Sequence, residues 1–231
     1  MTALAKLVLI FGDRGGLGAA LAELFLNCGD EMIGASRHED LAAPYQRYVV
    51  DAEDEMAVSA FSALLRDQGR IPDIVVNCAG QSAKTPLLMA STDEVRQVLL
   101  GNTLSAFLIT REFAKAMLSR NSGVLVNFSS IHAHAAIAGA GVYAASKAAV
   151  EALVRAFDVE LARSQLKPSC LALSYVEAFG MAASINEAAR QETYGAVPAG
   201  RTVGVQEVFD AIEQIDVQPP RRGSPVYNIG L

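Results

Sequence analysis

Short apolar runs alternate with longer amphipathic segments along the chain, and this alternation restricts the fold more than any other feature of the sequence. The predicted strands are Leu7–Phe11, Met32–Ala35, Tyr48–Val50, Ile74–Val76, Val124–Phe128, Ser169–Leu173 and Val226–Tyr227. The predicted helices are Gly16–Cys28, Glu53–Arg66, Ser91–Leu99, Asn102–Leu118, Val142–Ala162 and Gln206–Ile215. Strands that are apolar on both faces, with helices between them, predict a parallel sheet covered on both sides. We therefore expect one doubly wound α/β domain over residues 1–231.

Charge and composition exclude several kinds of partner. The net charge is −6 over 231 residues, and the sequence lacks the clustered Lys and Arg of a nucleic-acid-binding surface. No apolar stretch approaches the ~20 residues of a membrane-spanning helix. Cys28, Cys78 and Cys170 are scattered without a CxxC spacing, which favours three reduced thiols. We therefore expect a cytoplasmic protein with no nucleic-acid or membrane partner.

A phenol and an ammonium lie four residues apart at Tyr143 and Lys147, within a predicted helix. Residues with this spacing share one helix face. An ammonium beside a phenol favours the phenolate and lowers the pKa of the tyrosine. Ser130 lies upstream, at the end of the fifth predicted strand. This combination suits reversible reduction of a carbonyl to an alcohol. Together with a Gly-rich turn near the N-terminus, it indicates a nicotinamide-dependent oxidoreductase.

Glycines fill the turn between the first predicted strand and the first predicted helix, at Gly12, Gly16 and Gly18. Glycine lets the backbone turn sharply and approach a pyrophosphate, whose charge is stabilised by the N-terminus of the helix. The alternative is a tight turn without a ligand. The position of the turn, directly after the first strand, favours a dinucleotide site.

Taken in order, these motifs resemble the short-chain dehydrogenase/reductase family. The matching segments are Gly12-x3-Gly16-x-Gly18, Asn77-Cys-Ala-Gly80, Val126–Ser130, Tyr143-x3-Lys147, Pro198–Arg201, Gln206–Val208 and Gly223–Gly230. The chain is similar to the bacterial 3-oxoacyl-carrier-protein reductases and carbonyl reductases of this family. The resemblance covers essentially the whole chain and implies a single-domain Rossmann-type fold of about seven strands.

The resemblance also implies the roles of four catalytic residues. Tyr143 is expected to act as the general acid, and Lys147 to lower the pKa of Tyr143 and hold the nicotinamide ribose. Ser130 is expected to bind the substrate oxygen. Asn102, at the head of a predicted helix, is expected to hold a water that links Lys147 to solvent, although a simple helix cap is an alternative. Ser129 fits the family spacing to Tyr143 less well than Ser130.

The same resemblance predicts the residues around the cofactor. They are Gly12, Arg14, Gly16, Leu17, Gly18, Ser36, Arg37, Asp51, Asn77, Ala79, Gly80, Tyr143 and Lys147. The second strand ends in Ser36 and Arg37, where NAD-selective members of the family carry an acid. Arg37, with Arg14, suits a 2′-phosphate, so we expect NADP(H) in preference to NAD(H). Alternatively, both arginines are solvated loop residues.

The chain departs from the family pattern after the sixth strand. Tyr175 and Val176 replace the usual Pro-Gly, and Gly180 stands where a Thr is expected; Phe11 replaces the Thr before the first glycine. These changes affect the cofactor site more than the catalytic residues. These changes leave open a second hypothesis, that the protein is a dinucleotide-binding sensor or interaction protein with weak or no turnover. A third possibility is a different reaction on the same scaffold, such as epimerisation or dehalogenation.

Substrate and assembly are less constrained by the sequence. A segment at about 176–200 is expected to cover the substrate, which we predict to be an apolar or mixed ketone or aldehyde. His132 and His134 border the predicted pocket, where loop polarity or substrate contact is favoured over a metal site because no further ligands converge there. The small residues of the 142–162 helix predict a homodimer or homotetramer. Arg190 and Arg201 are candidates for contacts with an acyl carrier protein, although ordinary surface placement is favoured for both.

Overall fold

The computed structural model describes residues 5–38, 42–135, 137–176, 202–218 and 223–230. Its strands are β1 (Leu7–Phe11), β2 (Glu31–Ser36), β3 (Gln46–Val49), β4 (Ile74–Asn77), β5 (Gly123–Ser130), β6 (Leu166–Leu173) and β7 (Val226–Ile229). Its α-helices are α1 (Gly16–Asn27), α2 (Glu55–Asp67), α3 (Thr92–Leu99), α4 (Ser105–Leu118), α5 (Gly141–Glu160) and α6 (Val205–Val217). The predicted elements therefore all form, with ends that differ by a few residues.

All seven strands belong to one parallel sheet, in the order β3-β2-β1-β4-β5-β6-β7. The order reverses between β1 and β4, so the chain winds outward in both directions from these two strands. A crevice opens at such a reversal, beyond the carboxyl ends of the strands, and is the usual ligand site of open α/β sheets. The predicted doubly wound α/β architecture is confirmed.

The sheet buries apolar side chains on both faces, because successive residues of a strand point in opposite directions. On one face, Ile10 of β1 belongs to a core that includes Phe25 of α1 and Phe209 of α6, whose ring centroids are 4.9 Å apart. On the other face, Phe11 packs edge-on against Phe61 of α2 and Phe113 of α4. Full burial of each such side chain contributes about 2 kcal/mol, which explains why β1 is apolar at every position.

The structure corrects one prediction about the helices. Asn102 was expected at the head of a helix, but α3 and α4 are joined by a π-helical turn at Leu100–Leu104, and Asn102 lies inside it. A π turn inserts an extra residue into the helix and is often found at functional sites. The turn places the buried Asn102 side chain beneath the loop that follows β4.

Helix α5 presents two different faces. Ser146, Lys147, Val150 and Val154 are buried against the sheet, whereas Ala145, Ala152 and Ala156 on the opposite face are exposed. Among the described residues, no helix is both long and apolar enough to cross a bilayer. Whether the exposed small-residue face of α5 forms an interface between subunits stays a prediction.

Candidate active site

The predicted site residues converge on one cavity of about 560 Å³ at the carboxyl ends of β1, β4, β5 and β6. Ten of the predicted residues line it: Gly12, Gly16, Leu17, Gly18, Asn77, Ala79, Gly80, Ser130, Tyr143 and Lys147. The other predicted cofactor residues, Arg14, Ser36, Arg37 and Asp51, line a second cavity of about 390 Å³ that shares Gly12, Ala79 and Gly80 with the first. The two cavities thus form adjoining parts of one site.

The Gly-rich turn packs so closely against neighbouring backbone that it requires glycine at two positions. Gly12 has a φ of +77°, and a Cβ there would lie 2.9 Å from the Ala79 nitrogen. A Cβ on Gly18 would lie 2.3 Å from the Gly12 carbonyl oxygen. Helix α1 begins at Gly16 with no acidic residue in its first turn. A pyrophosphate fits this arrangement of free backbone N–H groups and positive helix dipole.

Ser130, Tyr143 and Lys147 meet at the opposite end of this cavity. Ser130 ends β5, and its hydroxyl lies near enough to the Tyr143 phenol to lower the pKa of that phenol. The Lys147 Nζ lies 5.7 Å from the centroid of the Tyr143 ring and donates a hydrogen bond of 2.9 Å to the Phe128 carbonyl oxygen. The tyrosine and lysine share one side of α5, as their spacing predicts.

Burial shifts the pKa values of both residues away from their charged forms. Burial lowers the pKa of Lys147 to about 8, because an ammonium is poorly solvated there. Burial raises the pKa of Tyr143, and the hydrogen bond from Ser130 offsets only part of this effect. In this arrangement burial is the largest influence on the pKa of Tyr143 and raises it, and the expected effect of Lys147 on this pKa stays a prediction. A phenol that keeps its proton is suited to act as an acid.

Asn102 supports the site from behind the cavity wall. Its Oδ1 accepts a hydrogen bond of 2.7 Å from the Gln81 nitrogen, and its Nδ2 donates to the Gln81 carbonyl and to Ser146 Oγ, both at 2.9 Å. A Cβ on Gly80 would lie 2.6 Å from this Oδ1 and 3.8 Å from Lys147 Nζ. Asn102 therefore holds the loop after β4 against α5, beside Lys147.

The serine before Ser130 has a different environment. Ser129 Oγ donates to Glu151 Oε1 at 2.8 Å, and the same carboxylate oxygen is 2.9 Å from His134 Nε2. Arg155 contacts the other Glu151 oxygen at 2.8 Å. This buried carboxylate ties β5 to α5 and to the loop after β5. Ser129 and His134 are thus held by Glu151 rather than by the tyrosine.

The second cavity brings cations and carboxylates together. The Arg37 side chain is 59% exposed and lies 3.5 Å from Glu53 Oε1. Asp51 accepts a hydrogen bond of 3.0 Å from the Glu53 nitrogen, which fixes the loop after β3. Ser36 Oγ donates to the His38 carbonyl oxygen at 3.1 Å. Arg37 thus lines the second cavity, where it forms a long ion pair with the partly exposed Glu53 carboxylate.

A buried ion pair beneath the Gly-rich turn was not predicted from the sequence. Asp13 is fully buried, and its Oδ2 accepts hydrogen bonds from Arg47 Nε at 2.5 Å and from the Tyr45 hydroxyl at 3.0 Å. Its Oδ1 has no hydrogen-bond partner in the part of the chain that the structure describes. The signal in the sequence was a charged residue inside an otherwise Gly-rich turn. The pair fixes this turn to β3.

His132 and Tyr175 line the cavity beside Tyr143. His132 Nε2 lies 3.2 Å from the Tyr175 hydroxyl, and burial lowers the pKa of this histidine. The His132 ring packs edge-on against Tyr143 and Tyr175, at centroid distances of 5.8 Å in both cases. The sequence indicated His132 as a pocket residue and Tyr175 as a departure from the family pattern, but not their contact.

Other predicted features lie outside the described residues. They are the 177–200 part of the substrate-covering segment, Gly180, Arg190, and the Pro198–Arg201 match. No metal-binding group of three His, Cys, Asp or Glu side chains occurs within the residues that the structure describes.

Comparison with known proteins identifies close similarities over most of the chain. A family model described as short chain dehydrogenase matches residues 6–190. A 3-oxoacyl-acyl-carrier-protein reductase of Vibrio harveyi is 26% identical over 215 residues, which cover 90% of this chain and 88% of that protein. Dehydrogenase/reductase SDR family member 11 of Gallus gallus is 25% identical, with 93% and 91% of the two chains covered.

Solved structures show the same fold. A 4-hydroxyisoleucine dehydrogenase complexed with NADH superimposes with a TM-score of 0.83 at 23% identity, covering 96% of both chains. A short chain dehydrogenase from Leptospira borgpetersenii with bound NAD+ gives a TM-score of 0.85 at 21% identity, covering 97% of this chain and 91% of that one.

Proposed function

The chain belongs to the short-chain dehydrogenase/reductase family of oxidoreductases, and we propose that it reduces a ketone or aldehyde reversibly with a nicotinamide dinucleotide. The observation that carries this proposal is the meeting of Ser130, Tyr143 and Lys147 in the cavity that the Gly-rich turn borders. The dinucleotide supplies or accepts the hydride when bound. The protein supplies the binding surface, the proton and the charges around the reacting oxygen.

Tyr143 is the proposed general acid. Its phenol keeps its proton because burial raises its pKa, and it donates this proton to the oxygen of the substrate during reduction. Ser130 hydrogen-bonds the same oxygen and stabilises the charge that develops on it. In the reverse direction, Tyr143 accepts the proton of the alcohol.

Lys147 is the proposed binding group for the nicotinamide ribose and the source of positive charge near Tyr143. Its Nζ has one fixed acceptor, the Phe128 carbonyl oxygen, and can donate two further hydrogen bonds. Asn102 positions the Gly80–Gln81 loop beside this ammonium. Its role in a water-mediated proton relay stays a prediction.

For the cofactor, we propose NADP(H) over NAD(H). Support comes from Arg37, Arg14 and Ser36, which line the second cavity. Arg37 is exposed and its contact with Glu53 is long, so exchange of this carboxylate for a 2′-phosphate has little cost. A cytoplasmic location and a small-molecule substrate complete the proposal.

Titration with NADPH and with NADH, followed by cofactor fluorescence, tests this preference. We expect tighter binding of NADPH, and we expect Arg37→Asp to weaken it about tenfold to a hundredfold while leaving NADH binding within a few fold. Glu53→Gln is the matched variant, because it releases Arg37 and should strengthen NADPH binding. An unchanged preference in Arg37→Asp would contradict the assignment.

A further inference from the structure

His132 and Tyr175 form a polar pair that the proposed reduction does not use. His132 is 4% exposed and Tyr175 is 6% exposed, yet both line the cavity that holds Tyr143. His132 Nε2 lies 3.2 Å from the Tyr175 hydroxyl oxygen, and the two rings pack edge-on against each other. The His132 ring also contacts the Tyr143 ring, so the pair lies directly beside the proposed acid.

The backbone fixes both side chains in place. Tyr175 follows β6 by two residues, and its carbonyl oxygen accepts a hydrogen bond of 2.8 Å from the Val203 nitrogen. His132 lies in a single 3-10 turn after β5, and its backbone N–H donates a hydrogen bond of 3.3 Å to Ser130 Oγ. Because two separate strands position the pair, its geometry relative to Ser130 and Tyr143 is built into the sheet.

One nitrogen of the pair is buried without a partner. His132 Nδ1 makes no hydrogen bond to any described residue, although burial of an unsatisfied polar group is unfavourable. The neutral imidazole carries one donor and one acceptor, and Nε2 is engaged with the Tyr175 hydroxyl. A ligand hydroxyl would satisfy either tautomer, and a ligand carbonyl oxygen would accept a hydrogen bond from the tautomer that carries its proton on Nδ1.

The charges of the cavity favour an uncharged ligand group at this place. Among the described residues that line the cavity, Lys147 is the one Lys or Arg, and its ammonium donates to the Phe128 carbonyl oxygen. Since His132 is held neutral by burial, a carboxylate beside it would lack a counter-charge. A hydroxyl or carbonyl group carries no such cost.

We propose that His132 and Tyr175 together bind a second, uncharged oxygen of the substrate, a hydroxyl or carbonyl group one or two carbon atoms from the carbonyl that is reduced. Because the His132 ring contacts both Tyr143 and Tyr175, a group bound by the pair lies close to the oxygen that Tyr143 protonates. The assignment rests on the proposed reductase function and adds a specificity determinant to it. The pair selects and orients the substrate, and Tyr143 protonates it.

The experiment compares 2-pentanone with 2,3-pentanedione, which differ by the second oxygen. Steady-state kcat and KM are measured for both ketones with the wild-type protein, Tyr175→Phe and His132→Phe. Both substitutions keep an aromatic ring at the pair, so that the His132–Tyr175 ring contact is preserved, and both remove polar atoms. Tyr48→Phe is the matched control, because the Tyr48 hydroxyl is also buried without a partner but lies away from the cavity.

We expect Tyr175→Phe to lower kcat/KM for 2,3-pentanedione about tenfold, mainly by raising KM. The same substitution should change kcat/KM for 2-pentanone less than about twofold. The Tyr48→Phe protein should match the wild type with both ketones. An equal loss with both ketones would show that the pair only supports Tyr143, and an unchanged kcat/KM for the dione would also overturn the proposal.

A binding measurement separates this proposal from the proposed reductase function. If the wild-type protein reduces neither ketone, calorimetry in the presence of NADP+ gives the Kd of each. The proposal predicts about tenfold tighter binding of the dione and loss of this preference in Tyr175→Phe. Equal affinities for the two ketones in the wild-type protein would overturn it, whatever the fate of the reductase function.

Discussion

Replacing Lys147 by methionine is expected to stabilise the protein at neutral pH while removing its function. Lys147 is 9% exposed, and its ammonium makes one hydrogen bond to the residues that the structure describes, to the Phe128 carbonyl oxygen at 2.9 Å. Burial lowers the pKa of this lysine from 10.5 to about 8. Folding therefore places a poorly solvated charge in the site, which is unfavourable for stability.

The sign and size of this effect follow from the two pKa values. Below about pH 8 the folded and unfolded chains both hold the proton, and the full cost of burying the charge is present. Between about pH 8 and 10.5 the unfolded chain holds more protons, so stability rises with pH. At about 1.4 kcal/mol per tenfold change in proton affinity, the cost at neutral pH is about 3 kcal/mol.

The substitution removes this cost together with the hydrogen bond to Phe128, which is worth about 1 kcal/mol. Methionine has a similar length and is apolar, so it fills the space of the lysine stem. We therefore expect Lys147→Met to raise the free energy of unfolding by about 2 kcal/mol at pH 7. At pH 10, where most of the charge cost is gone, the two effects cancel and the difference is close to zero.

Urea unfolding at pH 7 and pH 10, without added dinucleotide, measures this difference. Lys115→Met is the control, because the Lys115 side chain is 61% exposed and the Glu112 carboxylate that it contacts keeps Arg111 as a partner at 2.6 Å. The same Lys147→Met preparation should lose ketone reduction. A destabilised Lys147→Met protein at pH 7, or an equal effect at both pH values, would refute the argument from burial.

Two further predictions concern the Gly-rich turn and assembly. Arg47→Met leaves the buried Asp13 carboxylate without its counter-charge, so we expect the free energy of unfolding to fall by about 3 kcal/mol and Tm to fall by about 6–12 °C. We expect Asp13→Asn to lower the stability less, because Arg47 still reaches the Tyr45 hydroxyl in that variant. Calorimetry of both variants measures the two losses of stability, and a larger loss for Asp13→Asn than for Arg47→Met would contradict this prediction. The exposed small-residue face of α5 predicts a dimer or tetramer by light scattering at micromolar concentration, and a monomer would contradict this.

Most of the fold could be predicted from the sequence because strand and helix periodicities are strong in this chain. Leu7–Phe11 is apolar at every position, and the structure buries alternate side chains on the two faces of the sheet. The Gly-rich turn and the Tyr143–Lys147 pair are local patterns, so their placement around one cavity follows once the sheet order is known.

The features that sequence reasoning missed depend on contacts between distant segments. The ion pair of Asp13 with Arg47 joins the first turn to β3, and the contact of His132 with Tyr175 joins the ends of β5 and β6. Burial also outweighs the local effect of spacing at Tyr143, whose pKa rises although Lys147 is one helical turn away. Such effects are set by the surroundings of a residue rather than by its neighbours in sequence.

The most direct test of the proposed function compares the wild-type protein with Tyr143→Phe. Dinucleotide Kd values and the rate of NADPH oxidation with a panel of ketones and aldehydes are measured on both proteins. We expect Tyr143→Phe to lower kcat about 10²–10⁴-fold while changing the Kd of NADPH less than about threefold. An undiminished kcat in Tyr143→Phe would contradict the assignment of the acid, and tight dinucleotide binding by a wild-type protein that reduces none of the panel would favour a dinucleotide-binding sensor instead.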